Sequence, residues 1–318
     1  MRRISVCIAC LFVTLCALLP FGMANGRKSP AGQVQADGSR QIVLEEFTKA
    51  RPPVAQLPKP GIRRRPPAVA LRPPKYLRKT PSLFAAAQAP VGTMEIGVTL
   101  WRLRPSAGID GGARVLVMEN AQSSQWTPQR IEVDTPLQIG ERVRLSIESP
   151  RDGYLYVIDR EQYADGSLGD AYLIFPTLRT RAGDNRVRPG RLIDIPAQED
   201  NPSYFTLVPS ANRNDQVAEV LTILVAPHPI GDIELGQNPI KLSKSDVARW
   251  ERTWSTGFER FEMVGGAGKN WTTAEKEASA MSSARLLTQE EPTPQTVYRV
   301  ASKTRNTFLI TVPLRYVR

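Results

Sequence analysis

Cysteine and histidine are scarce in this chain, and their scarcity excludes several kinds of chemistry. The three cysteines all lie within the first 16 residues, and His228 is the one histidine among 318 residues. Zinc sites and Cys-His catalysis need several such side chains, so the sequence excludes both. A Ser-His-Asp triad would depend on His228 alone, and the chain has no Gly-x-Ser-x-Gly nucleophile turn. We therefore expect no such catalytic centre, no metal and no cofactor.

The N-terminus has the order of a secretory signal peptide. Two arginines at 2–3 precede an uncharged apolar run over 4–19, and small residues follow at Gly22 and Ala24. The run is shorter than the roughly twenty residues that a membrane-spanning helix needs. It therefore predicts a signal peptide over 1–24, with an uncleaved anchor as the alternative. The signal peptide predicts an exported, periplasmic or extracellular protein. Because the three cysteines would be removed with it, we expect no disulfides.

Basic charge is concentrated in one proline-rich part of the chain. Residues 26–90 carry 13 Lys and Arg against three Asp and Glu, whereas residues 91–318 carry 27 against 28. The net charge of +11 is therefore no sign of a nucleic-acid-binding domain, and we expect no nucleic-acid partner. Repeated Pro-Pro steps favour extended polyproline II over helix or sheet. We predict a disordered basic tether over residues 25–92.

The tether offers positive charge to an anionic envelope surface, such as phospholipid headgroups or acidic wall polymers, or to an envelope protein. The alternative is a soluble spacer, since a charged, Pro-rich linker needs no ligand to remain extended. The candidate surface-binding residues are Arg63, Arg64, Arg65, Arg72, Lys75, Arg78 and Lys79.

Short strand-like runs separated by turn residues fill residues 93–230, with no helix between them. This pattern predicts an antiparallel β-sandwich, Ig-like or jelly-roll-like, rather than βαβ units. The run 142–148 alternates between apolar and polar residues, so it predicts one buried and one wet face. The wet face would contain Arg142, Arg144, Ser146 and Glu148. The other candidate strands are 96–103, 114–118, 153–158, 171–175, 191–195, 203–208 and 219–226.

Residues 231–318 are predicted to form a helical extension with closing strands. Large apolar residues recur at helical spacing over 243–261, which predicts a helix packed on the sheet. A second helix is predicted after Thr272, because Thr272 and Glu275 have the spacing of a capping box. The predicted closing strands are 296–301 and 307–316.

Four carboxylates fall within twelve residues of the central strand region. They are predicted to form the solvated tip of a hairpin, because charges in loops usually only keep the loop wet. Two alternatives stay open, a calcium-binding loop and a pair of carboxylates that act as acid and base in hydrolysis. The candidate binding residues of this acidic loop are Asp159, Glu161, Asp165 and Asp170.

A combination of turn and strand residues over 137–226 is similar to a known bacterial family. The matching features are Gly140, Asp152-Gly153-Tyr154-Leu155-Tyr156-Val157, Asp165-Gly166, Leu173-Ile174-Phe175-Pro176, Gly190 and Ile195-Pro196. Together they resemble the bacterial domain of unknown function 4384. The resemblance implies an accessory β module of secreted and envelope proteins, and it implies no activity. The chain departs from the family at Thr177, where Asn usually stands.

We therefore expect a non-catalytic exported protein with an accessory or interaction role at the cell envelope. The alternatives are a glycan- or calcium-binding module and a carboxylate-dependent hydrolase. An exposed patch containing Trp101, Trp126 or Trp250 would favour glycan binding. Two facing carboxylates in a deep cleft, one with a raised pKa, would favour the hydrolase.

Overall fold

Two β-sheets pack face to face, with helices on their outer surfaces. The computed structural model describes residues 33–34, 37–53, 93–119, 122–211, 213–231, 233–255, 257–301 and 307–317. The predicted signal peptide and the seven predicted surface-binding residues lie outside these ranges. The mainly β architecture confirms the antiparallel sandwich predicted from the sequence.

The strands and helices alternate irregularly along the chain. In chain order the strands are β1 (Gln33–Val34), β2 (Thr93–Pro105), β3 (Val115–Glu119), β4 (Gln122–Ile131), β5 (Arg142–Glu148), β6 (Gly153–Tyr163), β7 (Tyr172–Phe175), β8 (Arg186–Val187), β9 (Leu192–Ile195), β10 (Phe205–Thr206), β11 (Gln216–Ala226), β12 (Ile240–Lys241), β13 (Phe258–Glu262), β14 (Thr296–Ala301) and β15 (Phe308–Arg315). The helices are α1 (Asp37–Thr48), α2 (Lys244–Trp254) and α3 (Thr273–Ser279). No helix in this described part of the chain is long and apolar enough to cross a membrane.

The strands divide into a nine-stranded and a six-stranded sheet. In the nine-stranded sheet the order is β1, β13, β14, β2, β4 and β3, and β5 pairs with β2 while β9 and β10 pair with β5. The six-stranded sheet runs β12, β7, β6, β11 and β15, with β8 beside β6. Within the ranges above, neighbouring strands are antiparallel except β1 and β13, which run parallel.

The inner faces of the two sheets share one apolar core. Alternate residues of β2 and β5 face alternate residues of β6 and β11, as the two-residue period of a strand requires. The central members are Ile96, Val98, Val143, Leu145, Ile147, Leu155, Val157, Leu221 and Ile223. The core therefore fixes which face of each strand points inward.

The polar face of β5 is buried, so the predicted wet face is wrong. Arg144, Ser146 and Glu148 are only 1%, 3% and 2% exposed, and Arg142 is partly buried. The cover comes from distant parts of the chain. The segment after α1 contacts Glu148, and the loop before α3 places Trp271 against the Arg144 guanidinium.

Residues 37–53 form helix α1 and the turns after it, although they fall within the predicted disordered tether 25–92. The helix packs Phe47 against Phe261 of β13 in a small apolar cluster, and Phe47 is 1% exposed. For residues 37–53 the tether prediction is therefore wrong. A short apolar face in a basic, proline-rich region was enough to dock this part of the chain.

Arg51 fixes the chain directly after α1. Its guanidinium is 2% exposed and donates two hydrogen bonds of 2.7 Å to the Glu148 carboxylate. It also donates to the backbone carbonyls of Thr288, Glu291 and Pro292 at 2.9–3.1 Å. All of its donor groups are therefore used inside the domain.

Helix α2 is shorter than the helix predicted over 243–261. It ends at Trp254, and Phe258–Glu262 form β13 instead. Trp250 packs on the outer face of the six-stranded sheet, as predicted for this helix. Phe261 continues the helical spacing of apolar residues, but it is buried as a strand residue against α1. The period alone could not separate these two ways of burying it.

The later C-terminal elements agree with the sequence. The capping box of α3 is present, because the Thr272 hydroxyl accepts from the Glu275 amide and the Glu275 carboxylate accepts from the Thr272 amide. The predicted closing strands are confirmed as β14 and β15. Since β14 pairs with β2 and β15 pairs with β11, this segment belongs to both sheets.

Candidate functional site

The inner face of the six-stranded sheet changes from apolar to acidic at one end of the sandwich. Along β6 the buried Leu155 and Val157 are followed at the same two-residue period by Asp159 and Glu161. Along β11 the same change separates the buried Leu221 from Glu219. We call Asp159, Glu161 and Glu219 the carboxyl cluster.

Strand register brings the three carboxyl groups together. Glu219 lies directly opposite Glu161 in the β6–β11 pair, and Asp159 lies opposite Leu221, two residues away from Glu219. Residues directly opposite one another have Cβ atoms about 5 Å apart, and diagonal neighbours are within reach of long side chains. The cluster therefore follows from the pairing of two regular strands rather than from a loop.

Two oxygens of the cluster accept hydrogen bonds from neutral donors. Glu161 Oε2 accepts from the Tyr163 hydroxyl and, at 3.0 Å, from the Ser210 hydroxyl. Glu219 Oε1 accepts from the Gln216 amide at 2.7 Å and from the Tyr316 hydroxyl at 3.1 Å. These bonds orient the carboxyl groups without bringing a cation to them.

Two oxygens of the cluster are buried and accept no hydrogen bond from the described residues. They are Asp159 Oδ1 and Glu219 Oε2. Burial and the neighbouring Glu219 carboxyl raise the pKa of Asp159 well above its usual range, and burial also raises the pKa of Glu219. Burial together with Glu219 raises the pKa of the Tyr316 hydroxyl. This group of acids therefore favours the protonated state.

The other two predicted carboxylates lie in the hairpin loop and are paired with cations. Asp165 accepts from Ser167 and contacts Arg213 at 3.1 Å, and the Ser167 hydroxyl is the first cause that lowers its pKa, to about 2. Asp170 contacts Lys241 at 2.5 Å, which lowers its pKa. The structure thus separates the predicted acidic loop into two solvated loop carboxylates and two that belong to β6.

Glu219 is the member of the cluster that sequence reasoning missed. It lies about sixty positions after Asp159 and was predicted only as the first residue of the strand 219–226. A signal was present, because both strands carry apolar residues at alternate positions that end in a carboxylate. Among the described residues, no group of three or more acidic, Cys or His side chains is placed to hold a metal ion.

The tryptophans that would favour a glycan site are used in packing. Trp101 is 2% exposed and donates from Nε1 to the Ser146 hydroxyl at 2.7 Å. Trp250 is 8% exposed and stacks on Trp254 with ring centroids 6.3 Å apart. Trp126 is partly buried beneath the Arg142 guanidinium.

A second polar centre lies on the outer face of the nine-stranded sheet. It consists of three buried Arg-carboxylate pairs, which we call the ion-pair layer: Arg51–Glu148, Arg144–Asp194 and Arg130–Glu275. Arg144 contacts Asp194 at 2.9 Å, and the Ser146 hydroxyl donates to the other Asp194 oxygen at 2.5 Å. The guanidinium of Arg144 also lies 5.0 Å from the ring centroid of Trp271.

Two cavities lie outside the carboxyl cluster, and one of them borders the ion-pair layer. One of about 140 Å³ lies between Met94, Arg151 and Phe308. The other, of about 360 Å³, lies beside Arg130 and is bordered by Lys269. Neither cavity is lined by a residue of the carboxyl cluster.

Comparison of the chain with protein-family models, with curated proteins and with solved structures found no match. The resemblance of residues 137–226 to the domain of unknown function 4384 stays a prediction. Of the residues that suggested it, Tyr154 and Tyr156 lie on β6 and Phe175 at the end of the adjacent β7, where they pack as core and sheet-face residues. Gly140, Asp165-Gly166 and Gly190 lie in turns.

Proposed function

We propose that this protein is a non-catalytic, exported interaction module of the bacterial envelope, in which a β-sandwich presents the basic segment 54–92. The observation that carries the proposal is the burial of Arg51, because it fixes the chain immediately before this segment. The charge of the segment supplies the affinity, and the sandwich supplies a rigid attachment.

Both chain ends of the segment are held by the nine-stranded sheet. On one side Arg51 is paired with Glu148, and Gln289 donates to the Arg51 carbonyl at 3.0 Å. On the other side Thr93 starts β2, and its carbonyl accepts from Arg151 at 3.3 Å. Glu148 lies opposite Gly97 of β2, and Gly97 is four residues after Thr93. The attachment points at Glu148 and Thr93 are therefore about 13 Å apart along β2.

The charge distribution supports binding to an anionic surface. Residues 91–318 are nearly neutral, whereas the candidate binding residues bring seven positive charges into a short stretch. Such a stretch is attracted to phospholipid headgroups or acidic polymers, and salt screens the attraction beyond about 10 Å at 0.1 M. The segment therefore favours an electrostatic contact with such a surface.

The test is sedimentation of the mature protein with vesicles of phosphatidylglycerol and phosphatidylcholine at about 50 mM and about 500 mM salt. We expect binding at low salt that is lost at high salt. A variant with all seven candidate residues changed to Gln is expected to stay in the supernatant.

A matched control removes seven positive charges from the sandwich itself. The exposed residues Arg186, Arg188, Lys241, Lys244, Arg249, Arg252 and Lys269 are changed to Gln in this control. It is expected to bind the vesicles as the unchanged protein does. Equal loss of binding in both variants, or binding that ignores salt, would contradict the proposal.

A carboxylate-dependent hydrolase is the second candidate, and the carboxyl cluster favours it. Two acidic groups that face one another, with raised pKa values, are the arrangement that hydrolases use to keep one acid protonated. Hydrolysis of fluorescent casein and of nitrophenyl glycosides between about pH 4 and about pH 7 tests it. Activity that disappears in both Asp159→Asn and Glu219→Gln would support the hydrolase, and activity unchanged by them would exclude this site.

A further inference from the structure

We propose that the carboxyl cluster is a pH-sensitive switch, in which a proton shared by Asp159 and Glu219 keeps one end of the sandwich closed. Loss of this proton releases the ends of β6, β11 and β15 from one another. The inference goes beyond the proposed envelope contact and does not depend on it.

The geometry favours a proton between these two groups. Asp159 Oδ1 and Glu219 Oε2 are buried acceptors without a donor, and the two residues are diagonal neighbours on paired strands. Two ionised carboxylates in this position would each carry a charge that is removed from water and repelled by the other. A single proton turns one of the acceptors into a donor and removes one of the charges, so the pair satisfies itself.

The described neighbours on the six-stranded sheet supply no compensating positive charge. The titratable groups on the same face are Glu161 and Tyr163 of β6 and Tyr316 just after β15. Arg160 lies on the opposite face of β6, where it pairs with Glu251 of α2. Arg315 is exposed and alternates to the face opposite Tyr316.

The loops that close this end keep their charges in other pairs. Arg213 pairs with Asp165 and Asp215 and lies over the ring of Tyr163, 4.0 Å from its centroid. On the side of the nine-stranded sheet, Glu141 pairs with Arg102 at 3.2 Å. Among the described residues, no ion pair includes a member of the carboxyl cluster.

The position of the cluster explains why loss of the proton would move the backbone. β15 ends at Arg315, and three backbone bonds close the end of the sandwich beyond it. They run from the Tyr316 amide to the Val217 carbonyl, from the Leu137 amide to the Arg315 carbonyl and from the Val317 amide to the Leu137 carbonyl, at 2.8–2.9 Å. A bulge between Gln216 and Ala218 interrupts the register here. Repulsion is relieved most easily at such a terminus, where water can enter.

The direction of the pH effect follows from linkage. A carboxyl whose pKa is higher in the folded state than in the unfolded state binds its proton more tightly when folded. Its stabilisation is complete below the unfolded pKa, near 4, and is lost as the pH rises through the raised folded value. The switch is therefore closed in acid and opens toward neutral and alkaline pH.

Amide hydrogen exchange of the full mature protein, at about pH 5 and about pH 8, tests the switch. After correction for intrinsic exchange, protection of the Leu137, Tyr316 and Val317 amides is expected to fall about tenfold or more toward alkaline pH, since one pKa unit is a factor of ten. In Asp159→Asn the amide mimics the protonated acid, so protection is expected to stay within about twofold across the range. Glu219→Gln should behave in the same way, which keeps the test open if one variant folds poorly.

Asp165→Asn is the matched control, because it removes a carboxylate of the same hairpin that is already paired with Arg213. It is expected to retain the pH dependence of the unchanged protein. Infrared difference spectra should also show a protonated-carboxyl band at acid pH that both cluster variants lack. Equal pH dependence in Asp159→Asn and the unchanged protein, or absence of that band, would overturn the proposal.

Discussion

The two buried polar centres of this protein contain similar acids in opposite electrostatic settings. In the ion-pair layer each carboxylate faces an arginine, and the Glu148 carboxylate receives two hydrogen bonds from Arg51. In the carboxyl cluster Asp159 and Glu219 face one another, and each has a buried oxygen without a donor. The difference shows that burial alone does not decide what an acid does in this fold. Burial raises the pKa of both Asp194 and Asp159, but Arg144 opposes the rise at Asp194 whereas Glu219 adds to it at Asp159.

The largest effect on stability is expected at Arg51. In Arg51→Ala the Glu148 carboxylate would stay buried without its partner, and α1 would lose its link to the domain. Removing one member of a buried ion pair costs about 3–5 kcal/mol, so we expect a loss of this size in the free energy of unfolding. Urea denaturation at neutral pH measures it.

The control for Arg51 removes both charges at once. Arg51→Met combined with Glu148→Leu retains side-chain volume and leaves no unpaired charge, so most of the loss should be recovered. A loss below about 1 kcal/mol in Arg51→Ala would mean that the pair is not buried as described.

The same chemical change at one acid of each centre should have opposite effects. Asp194→Asn leaves the buried Arg144 without a counter-charge and is expected to cost about 2–4 kcal/mol, although the amide retains one acceptor. Asp159→Asn removes a repulsion instead, so above the raised pKa of this acid it should leave stability unchanged or increase it.

Urea denaturation of the two Asn variants at about pH 8 measures both changes in the free energy of unfolding. Asp184→Asn is a suitable control, because Asp184 pairs with the exposed Arg186 and should lose less than about 1 kcal/mol. Destabilisation of both Asp194→Asn and Asp159→Asn by similar amounts would remove the distinction between the centres.

A smaller effect is expected where the ion-pair layer meets a helix cap. The Thr272 hydroxyl accepts from the Glu275 amide at 3.2 Å and donates to the Glu275 carboxylate at 2.7 Å. Since Glu275 pairs with the buried Arg130, Thr272→Ala should cost about 1 kcal/mol of unfolding free energy. Thr272→Ser keeps the hydroxyl and should lose much less, so equal losses in thermal or urea unfolding would contradict a capping role.

The smallest effect is expected at the loop carboxylates. Asp170 pairs with Lys241 and Lys244, and all three side chains are at least a third exposed. Solvent screens such a pair, so Lys241→Ala should leave the free energy of unfolding almost unchanged. A larger change on denaturation would mean that the hairpin tip, like the carboxyl cluster, contributes to the fold.

The sequence predicted most of the longer strands because their period is local, but it missed β4 and β13. The run 142–148 alternates along seven residues, and its inward side is the one that the core contains. Its other side was predicted to face water because the groups that cover it, such as Arg51 and Trp271, lie about a hundred residues away in either direction. A covering element cannot be read from the alternation of the strand that it covers.

Only the β6 part of the candidate site was predicted from the sequence, for the same reason. Asp159 and Glu161 are visible as a short acidic stretch, but the partner that changes their chemistry is Glu219, which strand pairing brings beside them. Asp165 and Asp170 look identical to them in sequence, yet cations from other loops and strands occupy both. Strand pairing, rather than composition, separates the two kinds of acid.

The docking of α1 gives the chain a property that a free N-terminal arm would not have. A protease that cuts once within residues 54–92 would divide the protein into two polypeptides, but Phe47 and Arg51 would keep the smaller one in place. Such a nicked protein should run as two bands on a denaturing gel and elute as one particle in gel filtration. The covalent link between Pro53 and Thr93 is thus not what holds the N-terminal helix to the domain.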